Sequence, residues 1–529
     1  MTPTLPVSTR VMNLGDLLTQ TARRLPGHPA VRWGDLVRSW SNLNARVDAA
    51  AHRLAALGIG KGDRVLVQSR NNDAMIETQF AAFKLGAVWV PTNFRLTAAE
   101  VGWIGRASGA KALVYDAAFR GHADAVRQQS LALDVTLCIG EPRSGELAWD
   151  DAVADAGKGA FPSADVGRDD ACWFFFTSGT TGQPKAAILT HGQMAFVVAN
   201  HLADLVPGTT EADASLVVAP LSHGAGIHLL TQVARGACSI LLGREKFEPD
   251  EVFGLIARHR VANMFTVPTI VKRLVEDPAV DRYDHSSLRH VIYAGAPMYR
   301  ADQQKALRKL GKVLVQYFGL GEVTGNITVL PARLHDADDA AQGRIGTCGY
   351  PRTGIEVRIM DDQGRELAPH ETGEICCTGP AVFAGYFDNP EANAKAFRDG
   401  WFRTGDLGHV DEQGFLYITG RASDMYISGG SNVYPREIEE VLLTHPAVRE
   451  VAIVGLPDPD WGEAGVAAVA LVDGAGVDAA ELLAFLAGKV ARYKQPRRIV
   501  FFDELPKSGY GKITKNMVKD ALLERLAES

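Results

Sequence analysis

The sequence contains no run of the roughly 18 apolar residues that a membrane span requires. No apolar stretch follows a basic start at the N-terminus either. Neither a span nor a secretory signal is therefore expected. Cysteine is sparse, with six residues at 138, 172, 238, 348, 376 and 377. They form no CxxC pair and no metal-ligand spacing, which excludes a zinc module or a disulfide scaffold. They read as reduced, mostly buried thiols of a cytoplasmic protein. Positive charge is not in excess. A net charge of -7 argues against a nucleic-acid binder, which usually carries a basic face. Low-complexity tracts and clear repeats are missing as well.

What remains is a composition of 46% hydrophobic and 22% charged residues, ordinary for a globular enzyme. At 529 residues the chain exceeds a single core, and two to four lobes are expected at roughly 100–200 residues each. Helical and strand patterns alternate from about residue 30 to about 330: a helix over 40–57, a strand over 63–67, a helix over 74–85, a strand over 87–91. Further strands are expected over 215–219, 239–242, 261–267 and 290–294. Such βαβ succession implies parallel sheets covered by helices. It occurs before and after residues 177–185, which suggests two stacked α/β units in one large lobe. From about 340 short strands and turn signals such as Asp361-Asp362-Gln363-Gly364 indicate a small β-barrel or twisted sheet. After Gly420 a compact α+β lobe is expected: a helix over 435–444, strands over 448–454 and 464–472, a helix over 479–490. The predicted class is α/β, with a large lobe over 1–422 and a small mobile α+β lobe over 423–529.

The most informative segment is Thr177-Ser178-Gly179-Thr180-Thr181-Gly182-Gln183-Pro184-Lys185, which follows the apolar run Trp173-Phe174-Phe175-Phe176. The run reads as a buried strand and the polar segment as the loop leaving its end. Glycines admit close backbone approach, while amides and hydroxyls make a concave site for oxygen anions. Lys185 adds a positive charge. The Walker pattern GxxxxGK[ST] is not met, because Gln183 and Pro184 intervene and Ala186 follows the lysine. Taken alone, the loop could also be a solvated connector.

Further on stands Gln316-Tyr317-Phe318-Gly319-Leu320-Gly321-Glu322, where an aromatic could stack on a base and a carboxylate could hold magnesium. Gly405-Asp406 places an acid at a turn, suited to the paired hydroxyls of ribose. Gly420-Arg421 follows, and Lys512 lies in the glycine-flanked segment Leu505-Pro506-Lys507-Ser508-Gly509-Tyr510-Gly511-Lys512. Each of these, read singly, is also compatible with a core aromatic, a surface acid, a surface base or a surface lysine.

In this order and spacing the segments resemble the superfamily of adenylate-forming enzymes, which includes acyl-CoA synthetases, from about residue 12 to about 520. The resemblance implies that Thr177, Ser178, Gly179, Thr180, Thr181, Gly182 and Lys185 hold the phosphates of ATP. It implies that Phe318 stacks on adenine beside Gly319, Gly295 and Ala296, and that Glu322 binds Mg2+. Asp406 and Arg421 would hold the ribose side, Ser423 would mark the hinge, and Ser428, Gly429 and Gly430 would face coenzyme A. Lys512 would be the lysine required for adenylation. Relatives usually carry threonine where Gly321 stands, so the α-phosphate contact falls to Thr324 or to a backbone amide.

The same resemblance implies an ATP-dependent, AMP-forming carboxylic acid–CoA ligase. Its acid pocket would lie between Pro220-Leu221-Ser222-His223-Gly224-Ala225-Gly226 and Tyr293-Ala294-Gly295-Ala296-Pro297. His223 either meets the incoming carboxylate or caps a helix. Small residues at 224–226 and 294–296 are expected to leave a roomy apolar cleft for a fatty, aryl or arylpropenoic acid. The lack of arginine there disfavours a small dicarboxylate. The alternatives are a carrier-protein-loading adenylating enzyme, a luciferase-like oxygenase and a nucleotide sensor. Against the first stand the lack of aspartate at 220–226 and the lack of a carrier domain in the seventeen residues after Lys512. Expected partners are the small acid, a second copy in a homodimer, and a lysine acetyltransferase whose action on Lys512 would erase the charge adenylation needs.

Overall fold

The structure, a computed structural model, describes residues 10–154, 159–177, 184–244, 246–296, 298–428, 431–507 and 513–527. A seven-stranded sheet is built from Arg64–Gln68, Val88–Thr92, Ala112–Asp116, Val135–Ile139, Leu147–Ala148, Ala171–Thr177 and Lys185–Thr190. All of its pairs are parallel except the last, in which Lys185–Thr190 returns antiparallel to Ala171–Thr177. The nine-stranded second sheet takes Ala214–Val217, Cys238–Leu241, Val261–Thr266, His290–Tyr293 and Leu314–Phe318 in parallel. It also takes the hairpin Pro29–Trp33 and Leu36–Ser39, which joins beside Cys238–Leu241. A division of the strands before and after residues 177–185 therefore misplaces the first hairpin. Its partner lies some two hundred residues away, and no local pattern records that pairing.

The sheets share one core. Val65, Trp89 and Trp173 of the first sheet and Val217, Ile292 and Val315 of the second belong to a single apolar cluster. The helix Asp73–Leu85 is buried at every position, which explains its weak amphipathic pattern. Its charged residues are paired accordingly. Glu77 is met by Arg46 and by Trp149 Nε1 at 2.8 Å, and Lys84 by Asp48 and by Asn44 Oδ1 at 3.0 Å.

A third sheet comprises Glu356–Met360, Gly373–Thr378, Phe397–Arg398, Trp401–Val410 and Leu416–Arg421. The chain then enters a fourth, with Tyr426–Ser428, Ser431–Val433, Val448–Asp458, Gly462–Leu471 and Arg498–Phe502, flanked by helices Pro435–Leu442, Ala479–Leu486 and Lys515–Ala527. The helix expected to reach 490 stops at Leu486, because Ala487 leaves the helical region and Gly488 takes φ +77°. The six cysteines are buried free thiols. Among the described residues no helix is long and apolar enough to cross a membrane.

Candidate active site

The carboxyl ends of the strands His290–Tyr293 and Leu314–Phe318 lie side by side, since the two strands are parallel neighbours. This edge is where open α/β sheets bind ligands. Gly295 and Ala296 follow the first strand, and Phe318 and Gly319 end the second. Thr177 closes the strand Ala171–Thr177. Residues 178–183, with Ser178, Gly179, Thr180, Thr181 and Gly182, fall outside the described residues.

Thr177 Oγ1 donates to Glu322 Oε1 at 2.9 Å, and the Tyr386 hydroxyl donates to the same oxygen at 2.8 Å. The Lys185 ammonium stands 5.2 Å from the centre of the Tyr386 ring, within cation–π range. Four residues from four segments thus meet where the strand Ala171–Thr177 ends. Burial, reinforced by the neighbouring Glu322 charge, drives the Tyr386 hydroxyl far above its ordinary pKa, so it stays a donor. Tyr386 was not anticipated. In Ala384-Gly385-Tyr386-Phe387 nothing local distinguishes it from a packing aromatic, and only the bridge between Ala187 and Tyr386 brings it to the loop.

Backbone constraints position Glu322. A side chain on Gly319 would place its Cβ 2.5 Å from the Gly325 backbone, so the segment 319–325 doubles back as a tight turn only with glycine there. Phe383 N donates to the Glu322 carbonyl at 2.8 Å and ties the turn to the next segment. Thr324, at φ +52° and 2% exposed, donates its hydroxyl to the Val323 carbonyl at 2.6 Å. That hydroxyl is engaged within the turn itself. A Cβ on Gly321 would stand 2.7 Å from the Phe175 ring and 2.8 Å from Thr177 Cγ2. The space a side chain would need at Gly321 is occupied by Phe175 and Thr177.

Asp406 lies inside the strand Trp401–Val410 and not at a turn. Along that strand Phe402, Thr404, Asp406 and Gly408 face the buried side, so a carboxylate occupies an inward position where apolar residues are the rule. Arg421 is its cross-strand partner, with Nε 3.1 Å from Asp406 Oδ1. Gly405, at φ +73°, supplies the left-handed conformation the strand needs just before the acid. Ser423 lies beyond Arg421 and bonds Asp424 Oδ1 at 3.1 Å, and Ser428 ends the strand Tyr426–Ser428. Gly429, Gly430 and Lys512 are outside the described residues.

On the acid side, His223 occupies the N-cap position of the helix Gly224–Arg235 without a side-chain capping bond. Its ring lies 5.2 Å from Phe175, edge to face, and Nδ1 is 3.0 Å from Ser222 Oγ. The glycines after it do not leave open space. A Cβ on Gly224 would fall 2.4 Å from Phe265 Cζ, and one on Gly226 2.0 Å from the Leu221 carbonyl oxygen and 3.0 Å from Trp173. At Gly224 and Gly226 themselves the expected free space is taken up by aromatic rings and backbone.

Among the described residues no group of three His, Cys, Asp or Glu side chains is placed to hold a metal. A magnesium ion needs no such cage, being bound through one or two carboxylates together with substrate phosphates. Glu322, anchored at one oxygen and in contact with Thr177, fits that mode.

The chain thus has a large α/β part with a buried carboxylate, Glu322, held by Thr177 and Tyr386, followed by a small α+β part. The AMP-binding enzyme family matches residues 18–387, and the AMP-binding enzyme C-terminal domain matches residues 437–512. The chain is 38% identical to a feruloyl-CoA synthase from Amycolatopsis, over 96% of this chain and 99% of that one. It is 34% identical to an indoleacetate–CoA ligase from Aromatoleum aromaticum, over 97% and 99%. ATP-bound MatB from Rhodopseudomonas palustris has the same fold with TM-score 0.86 at 31% identity, covering 96% of this chain and 99% of that one. The o-succinylbenzoate CoA synthetase MenE from Bacillus subtilis, in complex with its acyl-adenylate intermediate, gives 0.84 at 30% identity over 97% and 99%. The chain belongs to the AMP-binding enzyme family, within the adenylate-forming superfamily. It is an AMP-forming acid–CoA ligase, using ATP and coenzyme A on a small-molecule acid.

Proposed function

We propose that the acid is an aryl-substituted one, of the arylalkanoic or arylpropenoic kind, and that two half-reactions run at the edge described above. The observation that carries this reading is the set of rings gathered next to His223, with Phe175 edge to face on it and Phe265 against Gly224. The full-length likeness to feruloyl- and indoleacetate-activating enzymes supports it.

In the first half-reaction a carboxylate oxygen attacks the α-phosphorus of ATP and pyrophosphate leaves. Residues 177–182 and Lys185 grip the phosphates, Phe318 faces the adenine near Gly295 and Ala296, and Asp406 accepts from the ribose hydroxyls beside Arg421. Glu322 would hold Mg2+, which neutralises charge on the phosphate oxygens. Lys512 meets the negative charge that grows on the non-bridging oxygens. In the second half-reaction the thiol of coenzyme A attacks the acyl carbon and AMP leaves. The small lobe, divided from the large one at 422/423, turns about Ser423 to bring residues 428–430 to the site. His223 lies beside the carboxylate. Acetylation of Lys512 would stop the first step, since it removes the charge.

Lys512→Ala is expected to slow pyrophosphate exchange by on the order of 10²–10³-fold while thioester formation from supplied acyl-adenylate is largely spared. Equal loss in both halves would contradict this division. AMP release measured over a panel of acids with coenzyme A tests the substrate class; exclusive use of straight-chain acids would refute it. One relative supports a second reading, a fatty acid–[acyl-carrier-protein] ligase from Streptomyces coeruleorubidus that is 32% identical over 94% of both chains. Thioester product formed with free coenzyme A decides against it.

A further inference from the structure

The Arg352 side chain has no exposed surface, although it stands outside every motif that marks the site in the sequence. A charge is costly to bury unless it is well paired, and here the pairing is incomplete. Asp204 Oδ2 stands 3.7 Å from the guanidinium Nε. Among the described residues Nε has no hydrogen-bond partner. The same Asp204 oxygen already accepts from the Thr353 amide at 2.9 Å and from Asn200 Nδ2 at 3.1 Å. Burial pushes the guanidinium down to about 10, so it remains charged at physiological pH. Exchanging such a group for an apolar one of similar volume is often neutral for stability. The contribution of Arg352 lies instead in what its donors hold.

They hold the end of the Glu322 turn. Arg352 Nη1 donates to Asn326 Oδ1, and the Arg352 amide donates to the Ile327 carbonyl at 3.0 Å. A guanidinium only donates, so the amide oxygen of the fully buried Asn326 has to face it. The Asn326 backbone amide returns to the Val323 carbonyl at 2.8 Å, one residue past Glu322, and Ile327 N closes the turn on the Phe318 carbonyl at 3.1 Å. On its other side Arg352 Nη2 lies 3.3 Å from His201 Nδ1. His201 and Asp204 belong to the helix His191–Asp204, which follows directly on the strand Lys185–Thr190. Arg352 thus joins the segment that carries Lys185 to the turn that carries Glu322. A rigid planar fork bridges two such partners at fixed geometry, which a lysine ammonium does not.

We propose that Arg352 is a positioning residue for the first half-reaction: through Asn326 it fixes the turn so that Glu322 meets the magnesium ion of Mg·ATP. Buried as it is, it acts on neither nucleotide nor metal directly. The inference rests on the reading of Glu322 as the Mg2+ residue given above. Groups that orient a metal ligand from behind change metal affinity or activity by roughly 10–100-fold when they are altered.

The test measures Kd for a nonhydrolysable ATP analogue by calorimetry, with and without Mg2+, together with Tm. The ratio of the two constants reports the grip on the metal. In Arg352→Met that ratio should shrink by about tenfold or more, while metal-free binding and Tm stay close to wild type. Arg352→Lys, which keeps the charge without the fork, should lie between. Asn326→Ala should repeat the loss, and combining it with Arg352→Met should add nothing, since both break one contact. Pyrophosphate exchange should fall along with the ratio, whereas thioester formation from supplied acyl-adenylate is largely spared. An unchanged ratio in folded Arg352→Met overturns the proposal. So does an equal loss of metal-free and Mg2+-dependent binding, the result that a merely structural arginine would give. Should Arg352→Met fail to fold, an unchanged ratio in Asn326→Ala overturns it alone. An unchanged ratio in Glu322→Gln would instead sink the Glu322 reading, and this inference with it.

Discussion

Gly321 and Phe175 exchange volume. The glycine has no room for a side chain because the phenyl ring and Thr177 fill it, so the two positions should be coupled. Gly321→Thr alone is expected to lower pyrophosphate exchange by about 10²-fold, the cost of displacing groups at the proposed phosphate site by an ångström. Adding Phe175→Leu should recover most of that loss. Strictly additive effects in the double variant would show that the two positions do not share the space. Tyr386 tests the anchoring of Glu322. Tyr386→Phe removes one of the two donors to the carboxylate and should cut adenylation by roughly tenfold, in line with a lost charge-assisted bond. A fall in Tm without a fall in kcat would assign the hydroxyl to stability alone.

At the scale of the element, the strand Trp401–Val410 shows how a site residue can sit in regular structure yet read as irregular. Gly405-Asp406 signals a turn, but the glycine's positive φ is absorbed within the ladder and the alternation carries Asp406 inward. A Cβ on Gly405 would meet nothing within 4 Å, so Gly405→Ala costs only the left-handed conformation, about 1–2 kcal/mol. Denaturation should register that loss, accompanied by a raised KM for ATP as Asp406 shifts. An unchanged KM with the expected loss of stability would separate the glycine's structural role from the ribose site. The helix Gly224–Arg235 teaches the complementary lesson. Its glycines look like cleft space in the sequence, whereas in the structure they are contact points for Phe265, Trp173 and the Leu221 carbonyl.

For the whole molecule, buried histidines set the response to acid. Burial pushes His191, His228, His290 and His335 each down to about 4, and His201 well below its ordinary value. In the unfolded chain they titrate near 6.5. Between these values the unfolded state binds more protons, so stability is full above about pH 6.5 and is lost as the pH falls toward 4. Each imidazole steepens the loss by at most about 1.4 kcal/mol per pH unit. Thermal unfolding followed from pH 7.5 to 4.5 should show the transition temperature dropping steeply below about 6; a flat profile would refute the account.

The α/β alternation could be read from the chain because it is local: a few residues fix the period of each element. Three features required the tertiary structure. The hairpin Pro29–Trp33 and Leu36–Ser39 finds its partner strand some two hundred residues away, Tyr386 reaches Glu322 from outside every motif, and Phe175 takes the volume missing at Gly321. The physical reason is the same in each case. Strand pairing, hydrogen bonding and close packing act between neighbours in space, and sequence patterns report neighbours in space only when they are also neighbours along the chain.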